Sequence, residues 1–382
     1  MKKVTLKILN FFKTNFIFTV AMVVALISCI FVPIDKEYLG YFEINTLSCI
    51  FLLLLVIAGF SNIQFFEKVA RLIVKKFKNT RSIIMCLIFI TYISAIVNAN
   101  DMSLLTFLPL AYIVLKYTNN LRYLAFTFIM QNIASNLGGM IAPIGNPQNL
   151  YIFSFYKMSL WEFLKIMAIP TLIALILIIV VCLFIKKEPL VYDDNVSNKL
   201  NVPKAIIYGV MFIITILVVL RVIPWWVAFI IIVITMLICD PKCFLMVDYT
   251  IPLTFVAFFI FSGNMSRIPA VIGLMEKFVN GYTFITAYIS CQFISNVPTA
   301  VLLSKFTGNY AHLLVSVNVA SLGIIFSSLS GVIALKEYIK ASKKENFDKK
   351  RGAWYYIGMD TLFNVVGAII LVPLSYLSLL IL

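Results

Sequence analysis

Apolar residues in this chain form runs of about twenty, separated by short polar or basic loops. A helix that crosses the hydrocarbon core of a membrane needs about 20 mostly apolar residues. The pattern therefore predicts an all-α polytopic membrane protein. The expected crossings are the runs 16–33, 45–62, 121–155, 162–185, 203–220, 224–239, 249–262, 311–340 and 353–381. The first run lacks a small-residue cleavage site, so we expect it to remain as a signal anchor.

Polar, helix-breaking segments interrupt this pattern, and they occur twice in the same order. The first copy is NANDMSLL around Asn100, followed by SNLGGMIAPIGNPQN at 135–149. The second is ISNVPTAV around Asn296, followed by VNVASLGIIFSSLSG at 317–331. Lipid cannot satisfy the backbone groups that such breaks expose, so the breaks must lie inside protein or along a watery cavity. A duplicated pair of breaks is typical of the binding site of a secondary transporter.

The segments around Asn100 and Asn296 are the polar tips of two longer stretches, 82–116 and 282–306, in which apolar arms flank each tip. Arms of about 15 residues are short for a crossing, so re-entrant hairpins are predicted. An odd number of crossings separates the two units, which predicts an inverted repeat with two broken transmembrane helices. The expected parts are an N-terminal signal-anchor span (1–44), a first repeat (45–160), connecting spans (161–245), a second repeat (246–341), and a basic cytoplasmic loop with the last span (342–382).

The formal charge of +15 comes from lysines and arginines in the loops at helix ends. Positive loops stay in the cytoplasm. This predicts a cell-membrane protein with a cytoplasmic N-terminus and an extracytoplasmic C-terminus. The lipid bilayer is then its partner, and no nucleic acid is expected. The segment from Glu67 to Arg81 is predicted to form a basic amphipathic helix on the inner face.

Broken helices suit ion binding. Half-helix N-termini carry about half a positive charge and unpaired N–H groups, which favour an anion. Unwound carbonyls and Asn or Ser oxygens favour a small hard cation such as sodium. The candidate substrate and ion ligands are Asn98, Asn100, Asp101, Ser103, Asn136, Gly145, Asn146, Asn149, Ser295, Asn296, Thr299, Asn318, Gly323, Ser327 and Ser328. The sodium candidates among them are Asn100, Asp101, Gly145 and Asn296.

Asp101 is the acidic residue at the first tip. A carboxylate at this depth costs about 2.5–3.5 kcal/mol on insertion scales, which favours a role as sodium ligand or proton carrier. The alternative is that it caps the second arm of the hairpin. The second tip has Val297 in its place, so the two cation sites should differ. Asp360 lies outside the repeat, near the cytoplasmic end of the last span, where it could snorkel or pair with Arg351 or a neighbouring lysine; a functional role is the alternative.

Other function classes lack their signatures. The chain has no P-loop nucleotide-binding motif, and its seven cysteines and single histidine form no metal or catalytic constellation. A membrane sensor or a lipid enzyme is the alternative from another class. We therefore expect no enzyme and no cofactor beyond a coupling cation, Na⁺ or H⁺.

The four polar segments resemble the ion transporter superfamily, which contains divalent-anion/sodium symporters, citrate permeases, arsenite efflux permeases and one class of sodium/proton antiporters. The resemblance covers roughly 45–341, with GNPQN as its most specific part. It implies a homodimer in which a transport part moves as an elevator against a scaffold. It also implies one cation site at Asn100 with Gly145–Asn146, and a second at Ser295–Asn296 with 323–327. The small anionic substrate would bind between the tips.

Two departures from that family pattern concern the tips and the second break. The tips read Ala99-Asn100-Asp101 and Ser295-Asn296-Val297 where the dicarboxylate transporters carry Ser-Asn-Thr, which leaves Ser103 and Thr299 as substitute hydroxyls. The second break has Ala320-Ser321 in place of two glycines, which predicts a weaker second cation site. The predicted function is cation-coupled transport of a small organic or inorganic anion. A sodium/proton antiporter using Asp101 and an arsenite-type efflux permease are the alternatives.

Overall fold

A computed structural model describes residues 16–42, 44–65, 68, 76–97, 100–189, 201–219, 222–279, 281–325, 327–347 and 351–381. Within these ranges the chain is helical and has no strand, apart from an isolated bridge between Asn79 and Pro189. Most of the predicted amphipathic helix at 67–81 lies outside the described residues, and so does Asn98. The prediction of an all-α fold is confirmed.

The described helices follow the apolar runs of the sequence. They are α1 (Phe16–Phe31), α2 (Ile44–Asn62), α3 (Thr80–Val97), α4 (Asn100–Tyr117), α5 (Leu124–Gly139), α6 (Pro147–Phe155), α7 (Leu160–Leu183), α8 (Val202–Val219), α9 (Trp225–Cys239), α10 (Cys243–Met246), α11 (Thr250–Met265), α12 (Pro269–Val279), α13 (Thr283–Ile294), α14 (Asn296–Leu303), α15 (Tyr310–Val319), α16 (Leu329–Lys344) and α17 (Ala353–Leu379). Short 3₁₀ turns lie at Lys36–Tyr41 and Leu121–Tyr123.

In the described part of the chain, α7 and α17 are each long and apolar enough to cross a membrane alone. Pro252–Met265 and Pro269–Val279 meet the same criterion only as a pair, and they are bent by 86°. Eight other apolar helices have 10–17 residues, including parts of α3, α4, α13 and α15. The apolar helices indicate a membrane protein, while the number of crossings stays a prediction.

The helices pack in two groups. α1 lies along α11, and α2 packs against α8, α9 and α10. In the second group, α3 and α4 pack against α5, and α13 and α14 pack against α15. α16 contacts α4 and α5, while α6 contacts α14 and α15. Each hairpin-like pair is therefore held by its own broken helix and by the resumed half of the other.

One buried carboxylate ties three helices of the first group together. Asp240 follows α9 directly, and its Oδ2 accepts hydrogen bonds from Asn62 Nδ2 of α2 at 2.7 Å and from Lys204 Nζ and Tyr208 OH of α8 at 2.9 Å each. Burial raises the pKa of Asp240, but the hydrogen bonds from Lys204, Tyr208 and Asn62 outweigh it and lower the pKa below its ordinary value. The ionised form is therefore the one that stabilises the fold.

Asp240→Asn is expected to destabilise the protein by about 1–2 kcal/mol, because a charged acceptor of three hydrogen bonds is lost. Since the folded-state pKa is depressed, the contribution is complete above the unfolded value of 3.8 and disappears as the pH falls through the folded value. Thermal unfolding in detergent between pH 7 and pH 3, followed by tryptophan fluorescence, measures the effect. Asp248→Asn is the control, because exposed Asp248 only caps Thr250. Equal midpoints for the two variants at pH 7 would contradict the assignment.

Candidate functional site

The two hairpin tips contact the two helix breaks in the same way. The backbone N–H of Asn100, the first residue of α4, donates to the carbonyl oxygen of Gly145 at 2.8 Å. The backbone N–H of Asn296, the first residue of α14, donates to the carbonyl oxygen of Ser327 at 3.0 Å. When the first break, 135–149, is aligned without a gap with the second, 317–331, Gly145 matches Ser327. Each tip thus places a helix N-terminus against unwound backbone.

The first break runs from the end of α5 at Gly139 to the start of α6 at Pro147. A Cβ atom on Gly145 would lie 2.1 Å from the Gly139 carbonyl oxygen, so the turn closes only with glycine there. Asn149 Nδ2 donates to the carbonyls of Gly139, Met140 and Ala142 at 3.1–3.3 Å. The Asn149 amide and the backbone of the turn, where Gly145 N donates to Ala142 O at 3.1 Å, together satisfy carbonyls that the end of α5 leaves without helical partners.

The second break runs from the end of α15 at Val319 to the start of α16 at Leu329. Gln292 of α13 stabilises it: its Nε2 donates to Ala320 O at 3.0 Å, and its Oε1 accepts from Ile324 N at 3.1 Å. Gly323 lies against this amide, since a Cβ there would be 1.8 Å from Gln292 Oε1. Ser328 caps α16 by accepting from Gly331 N at 3.4 Å.

A buried network of amides joins the two breaks. Asn136 Oδ1 of α5 accepts from Asn100 Nδ2 at 2.9 Å and from Ser330 Oγ at 3.1 Å. Asn318 Oδ1 of α15 accepts from Asn146 Nδ2 at 2.8 Å and from Gln148 Nε2 at 3.4 Å. Alignment of the breaks matches Asn136 with Asn318 and Gln148 with Ser330. The asparagine of each broken helix therefore bonds to the start of the other helix's resumed half.

Ser327 and Ser295 complete the second tip. Ser327 Oγ donates to Ser321 O at 3.2 Å, and Ser295 Oγ donates to Ser327 O at 3.2 Å. Ser295 adopts a φ of 71°, a left-handed conformation that is uncommon for a residue with a side chain. Local strain of this kind concentrates at functional sites.

Between the tips lies a small cavity of about 20 Å³, enough for about one water molecule. It is bounded by both tips, the start of α6 and one face of α11. The lining residues are Asn100, Asp101, Pro147, Gln148, Thr254, Phe255, Phe258, Ser295, Asn296 and Val297. In this conformation the site is closed around a volume too small for a polyatomic anion.

Asp101 is 6% exposed, with its carboxyl group beside the Ser330 hydroxyl. Its Oδ1 has no hydrogen-bond partner among the described residues, and the same holds for Asn100 Oδ1, Asn146 Oδ1 and Gln148 Oε1. Buried unsatisfied oxygens are costly unless a ligand binds them. No described backbone N–H bonds to the Asp101 carboxylate, so the structure gives no support to the capping alternative.

Other predicted ligands lie off this cavity. Ser103 Oγ donates to Ser94 Oγ at 3.0 Å across the α3–α4 pair, and Thr299 Oγ1 donates to Ser295 O at 2.7 Å within its own helix. The two hydroxyls expected as substitutes at the tips are therefore bonded inside their hairpins. Asn149, Gly323 and Ser328 support the breaks and do not line the cavity.

Sequence reasoning missed three residues of the network: Gln148, Ser330 and Gln292. Gln148 lies in GNPQN and Ser330 in SSLSG, so both belonged to segments already singled out as breaks. Their equal offset from the break asparagines was the available signal. Gln292 lies in an apolar helix with no pattern around it, and only the packing of α13 against the second break identifies it.

Comparison with known sequences gives the class of this membrane protein, which is a transport protein. Residues 8–322 match the sequence model described as citrate transporter, CitMHS. The chain therefore belongs to the citrate transporter family, which confirms the superfamily resemblance.

Two relatives match over most of their length. An uncharacterized transporter of Methanocaldococcus jannaschii is 32% identical over 295 residues, which is 77% of this chain and 81% of the relative. The inner membrane protein YbiR of Escherichia coli is 26% identical over 312 residues, covering 80% and 83% of the two chains. The protein is thus similar to transport and membrane proteins over four fifths of its length.

Proposed function

We propose that this protein is a cation-coupled secondary active transporter of a small anion. The observation that carries the proposal is the duplicated contact between a hairpin tip and a helix break, joined by the asparagine network. In the proposed mechanism a homodimer in the cell membrane alternates access as an elevator. The group of α3–α6 and α13–α16 then moves against the group of α1, α2 and α8–α11.

The packing supports an inverted repeat with two re-entrant hairpins. α4 and α14 each begin at a tip asparagine, and α6 and α16 each resume after a break. α4 packs against α16, and α14 packs against α6. An exchange of the two units maps each of these contacts onto the other. Each unit therefore contacts the other through the same pair of elements, the helix after its tip and the helix after its break. This symmetry supports a single pocket formed by both units.

The coupling cation is proposed to bind at the first tip. Asp101 supplies a carboxylate, and Asn100, Asn146 and Gln148 supply buried amide oxygens that lack partners among the described residues. A carboxylate with neutral oxygens suits a hard monovalent cation. At the second tip, Asn296 Oδ1 already accepts from Val297 N and Ser295 Oγ, at 2.9 and 3.2 Å. We therefore expect the second site to be weaker.

The anion is proposed to bind in this cavity once it opens, because the starts of α4, α6 and α14 line it and helix N-termini carry partial positive charge. A larger cavity of about 410 Å³ is bounded by the same helices α6, α11 and α14, with Lys36, Arg267 and Lys305 on its wall. Arg267 is ion-paired with Asp35 and with Glu37 of the same wall, so Lys36 and Lys305 are the positive side chains that would raise the local anion concentration. This cavity is the proposed access route.

Transport by the purified protein in liposomes tests the proposal. Citrate, suggested by the family's name, is the first probe, followed by phosphate and arsenite. An inward sodium gradient, an inward proton gradient and no gradient are compared, and a lumenal pH dye is read in parallel. Gradient-driven accumulation of an anion supports the proposal. Sodium-dependent pH changes without any anion would instead establish the antiporter, which the single carboxylate at the first tip favours as second candidate.

Asp101→Asn is expected to reduce cation-driven accumulation by about tenfold or more, because the charged cation ligand is lost. Exchange of labelled for unlabelled citrate needs no net cation movement, so we expect exchange to persist. Both assays use the same liposomes, and Asp248→Asn on the protein surface is the matched control. Wild-type accumulation in the Asp101 variant would remove this carboxylate from the cation site.

A further inference from the structure

A second buried carboxylate, Asp360, lies on α17, outside both hairpins and both breaks. Asp360 is 0% exposed, and neither carboxylate oxygen has a hydrogen-bond partner among the described residues. The expected pairing with Arg351 is wrong: in the described part of the chain, Asp360 forms no ion pair and is fully enclosed by neighbouring helices. The face of α17 that carries Asp360 points towards the neighbouring helices, so the side chain cannot reach the surface.

The surroundings of Asp360 are polar but uncharged. Tyr356 and Asn364 lie four residues before and after it, on the same face of α17. The Tyr356 hydroxyl and Asn364 Oδ1 are also buried and unpartnered within the described residues. Asn364 Nδ2 donates to the backbone carbonyl of Asp360 at 2.8 Å, and the Asn132 side chain of α5 lies beside the carboxyl group. This face supplies oxygens but no positive charge.

Asn132 connects this face to the candidate transport site. Its Oδ1 accepts from Asn136 Nδ2 at 3.1 Å, and Asn136 Oδ1 accepts from Asn100 Nδ2 at 2.9 Å. Hydrogen-bonded amides therefore run to the first hairpin tip from Asn132, which lies beside the Asp360 carboxyl group but is not hydrogen-bonded to it in this conformation. Amide groups do not titrate, so this chain transmits hydrogen-bond geometry and not the proton itself. A change at either end is felt at the other when a network has two arrangements.

Because Asp360 is buried without a counter-charge, its protonated form is favoured over its ionised form in this conformation. An isolated carboxylate in an apolar interior costs several kcal/mol, whereas the protonated acid is neutral and can donate a hydrogen bond. Protonation forms one O–H bond on a carboxylate oxygen and breaks one O–H bond of a hydronium ion, which is left as water, so one negative charge is removed from the protein. If Asp360 is protonated in one conformation of the transporter and ionised in another, each conformational cycle binds and releases one proton.

We propose that Asp360 is a proton-binding site between α5 and α17, coupled through Asn132 and Asn136 to the transport site at Asn100. The proposal deepens the proposed function, on which its transport consequence rests. It assigns proton coupling to a residue of the last helix, while Asp101 remains the cation ligand between the tips.

The groups that face Asp360 allow this role. On α17 the titratable neighbour is Tyr356, whose ring lies 4.7 Å from that of Tyr338 of α16. Tyr338 OH in turn donates to Arg351 O at 2.8 Å. α5 presents Asn132 and has no titratable residue. On α7, Glu162 is bonded to Tyr310 of α15, and His312 of α15 contacts Tyr376 in the other half of α17, away from Asp360.

Infrared spectroscopy tests proton binding without any substrate. Spectra of the reconstituted wild type are recorded from acid to alkaline pH. We expect a pH-dependent carboxylic acid C=O component in the difference between the wild-type and Asp360→Asn spectra, because the other carboxyl groups are common to both proteins and cancel. Asp248→Asn, a surface carboxylate, serves as the control and should retain this component. If Asp360→Asn shows the same titrating band as the wild type, the proposal is overturned.

Citrate transport tests the coupling. Asp360→Asn is expected to lose accumulation driven by an inward proton gradient by about tenfold or more, while counterflow exchange of citrate persists. Asp360→Glu, which keeps a carboxyl group, should restore part of the accumulation. This rescue separates proton binding from a purely structural role, and unfolding midpoints confirm that both variants fold. Wild-type proton-driven accumulation in Asp360→Asn would overturn the proposal.

The two experiments separate failure of this inference from failure of the proposed function. If the wild type transports no anion from the panel, the proposed function fails, and the infrared titration still decides whether Asp360 binds a proton. If the wild type accumulates citrate and Asp360→Asn alters only the sodium dependence, the transporter stands and the proton assignment is overturned.

Discussion

Gly145→Ala is expected to reduce citrate uptake to the background of empty liposomes. The added Cβ would lie 2.1 Å from the Gly139 carbonyl oxygen and 2.6 Å from the Gly139 Cα, and both are backbone atoms that cannot rotate away. The break must therefore open, which moves the Gly145 carbonyl that accepts from Asn100 N. Overpacking of this kind costs about 1–3 kcal/mol, and displacement of the first tip disrupts the site directly.

Gly209→Ala and Gly358→Ala are the matched controls, because no atom lies within 4 Å of the Cβ position at either glycine. Both controls should keep wild-type uptake and a wild-type unfolding midpoint. All variants are compared at equal amounts of reconstituted protein, with the midpoint measured in detergent. Normal uptake by Gly145→Ala would show that the tight approach of Gly139 and Gly145 is not needed for transport.

Asn136→Ala is the second substitution with a large expected effect. Asn136 Oδ1 is the common acceptor for Asn100 Nδ2 and Ser330 Oγ, and its Nδ2 donates to Asn132 O at 3.0 Å. Truncation removes this acceptor from a buried environment: the Ser330 hydroxyl loses the bond to Asn136, and Asn100 Nδ2 keeps only its bond to Ser330 Oγ at 3.0 Å, at a cost of about 1–3 kcal/mol. Asn100 begins α4 and Ser330 lies in the first turn of α16. The substitution therefore removes the hydrogen bonds that hold the starts of these two helices against α5. Uptake is expected to vanish.

Asn318→Ala should be comparably severe, because Asn318 holds the equivalent position in the other break and bonds to Asn146, Gln148 and Asn149. Thr235→Ala is the control, since Thr235 Oγ1 bonds only to Ile231 O in its own helix. Uptake and unfolding midpoints are measured for all three variants. If only one of the two asparagine variants were inactive, the result would contradict the expectation that the two breaks contribute equally to transport.

The cavity between the tips, with room for about one water molecule, has a mechanistic consequence. α11 contributes Thr254, Phe255 and Phe258 to its wall, while both tips belong to the other helix group. A relative movement of the two groups would therefore enlarge the cavity without breaking the contacts within either tip. That separation is what an elevator mechanism requires, because the asparagine network stays intact while its surroundings change.

Local sequence chemistry determined where the helices break. α5 ends at Gly139 and α6 begins at Pro147. The segment between them carries Pro143 and Gly145, and both residue types disfavour a continuous helix, proline because it lacks the backbone N–H and glycine because of its backbone entropy. The tip asparagines follow the same logic, because α4 and α14 begin at Asn100 and Asn296 as the polar interruptions predict. The burial of Asp101 also followed from its position inside an apolar stretch.

Only the tertiary structure decided which polar groups meet. Ser103 and Thr299 were expected at the tips, but each bonds inside its own hairpin, and Asp360 was expected to reach a positive charge and instead lies buried beside Asn132. The partners of an amide or a carboxylate depend on which helix faces pack together, and hydropathy leaves that rotation undetermined. The sequence by itself determined the breaks, the tips and the membrane class, because these depend on backbone chemistry and on apolar length. The pairing of Asn136 with Ser330 and of Asn318 with Gln148 joins residues far apart in the chain, so it exists only once the two units have packed.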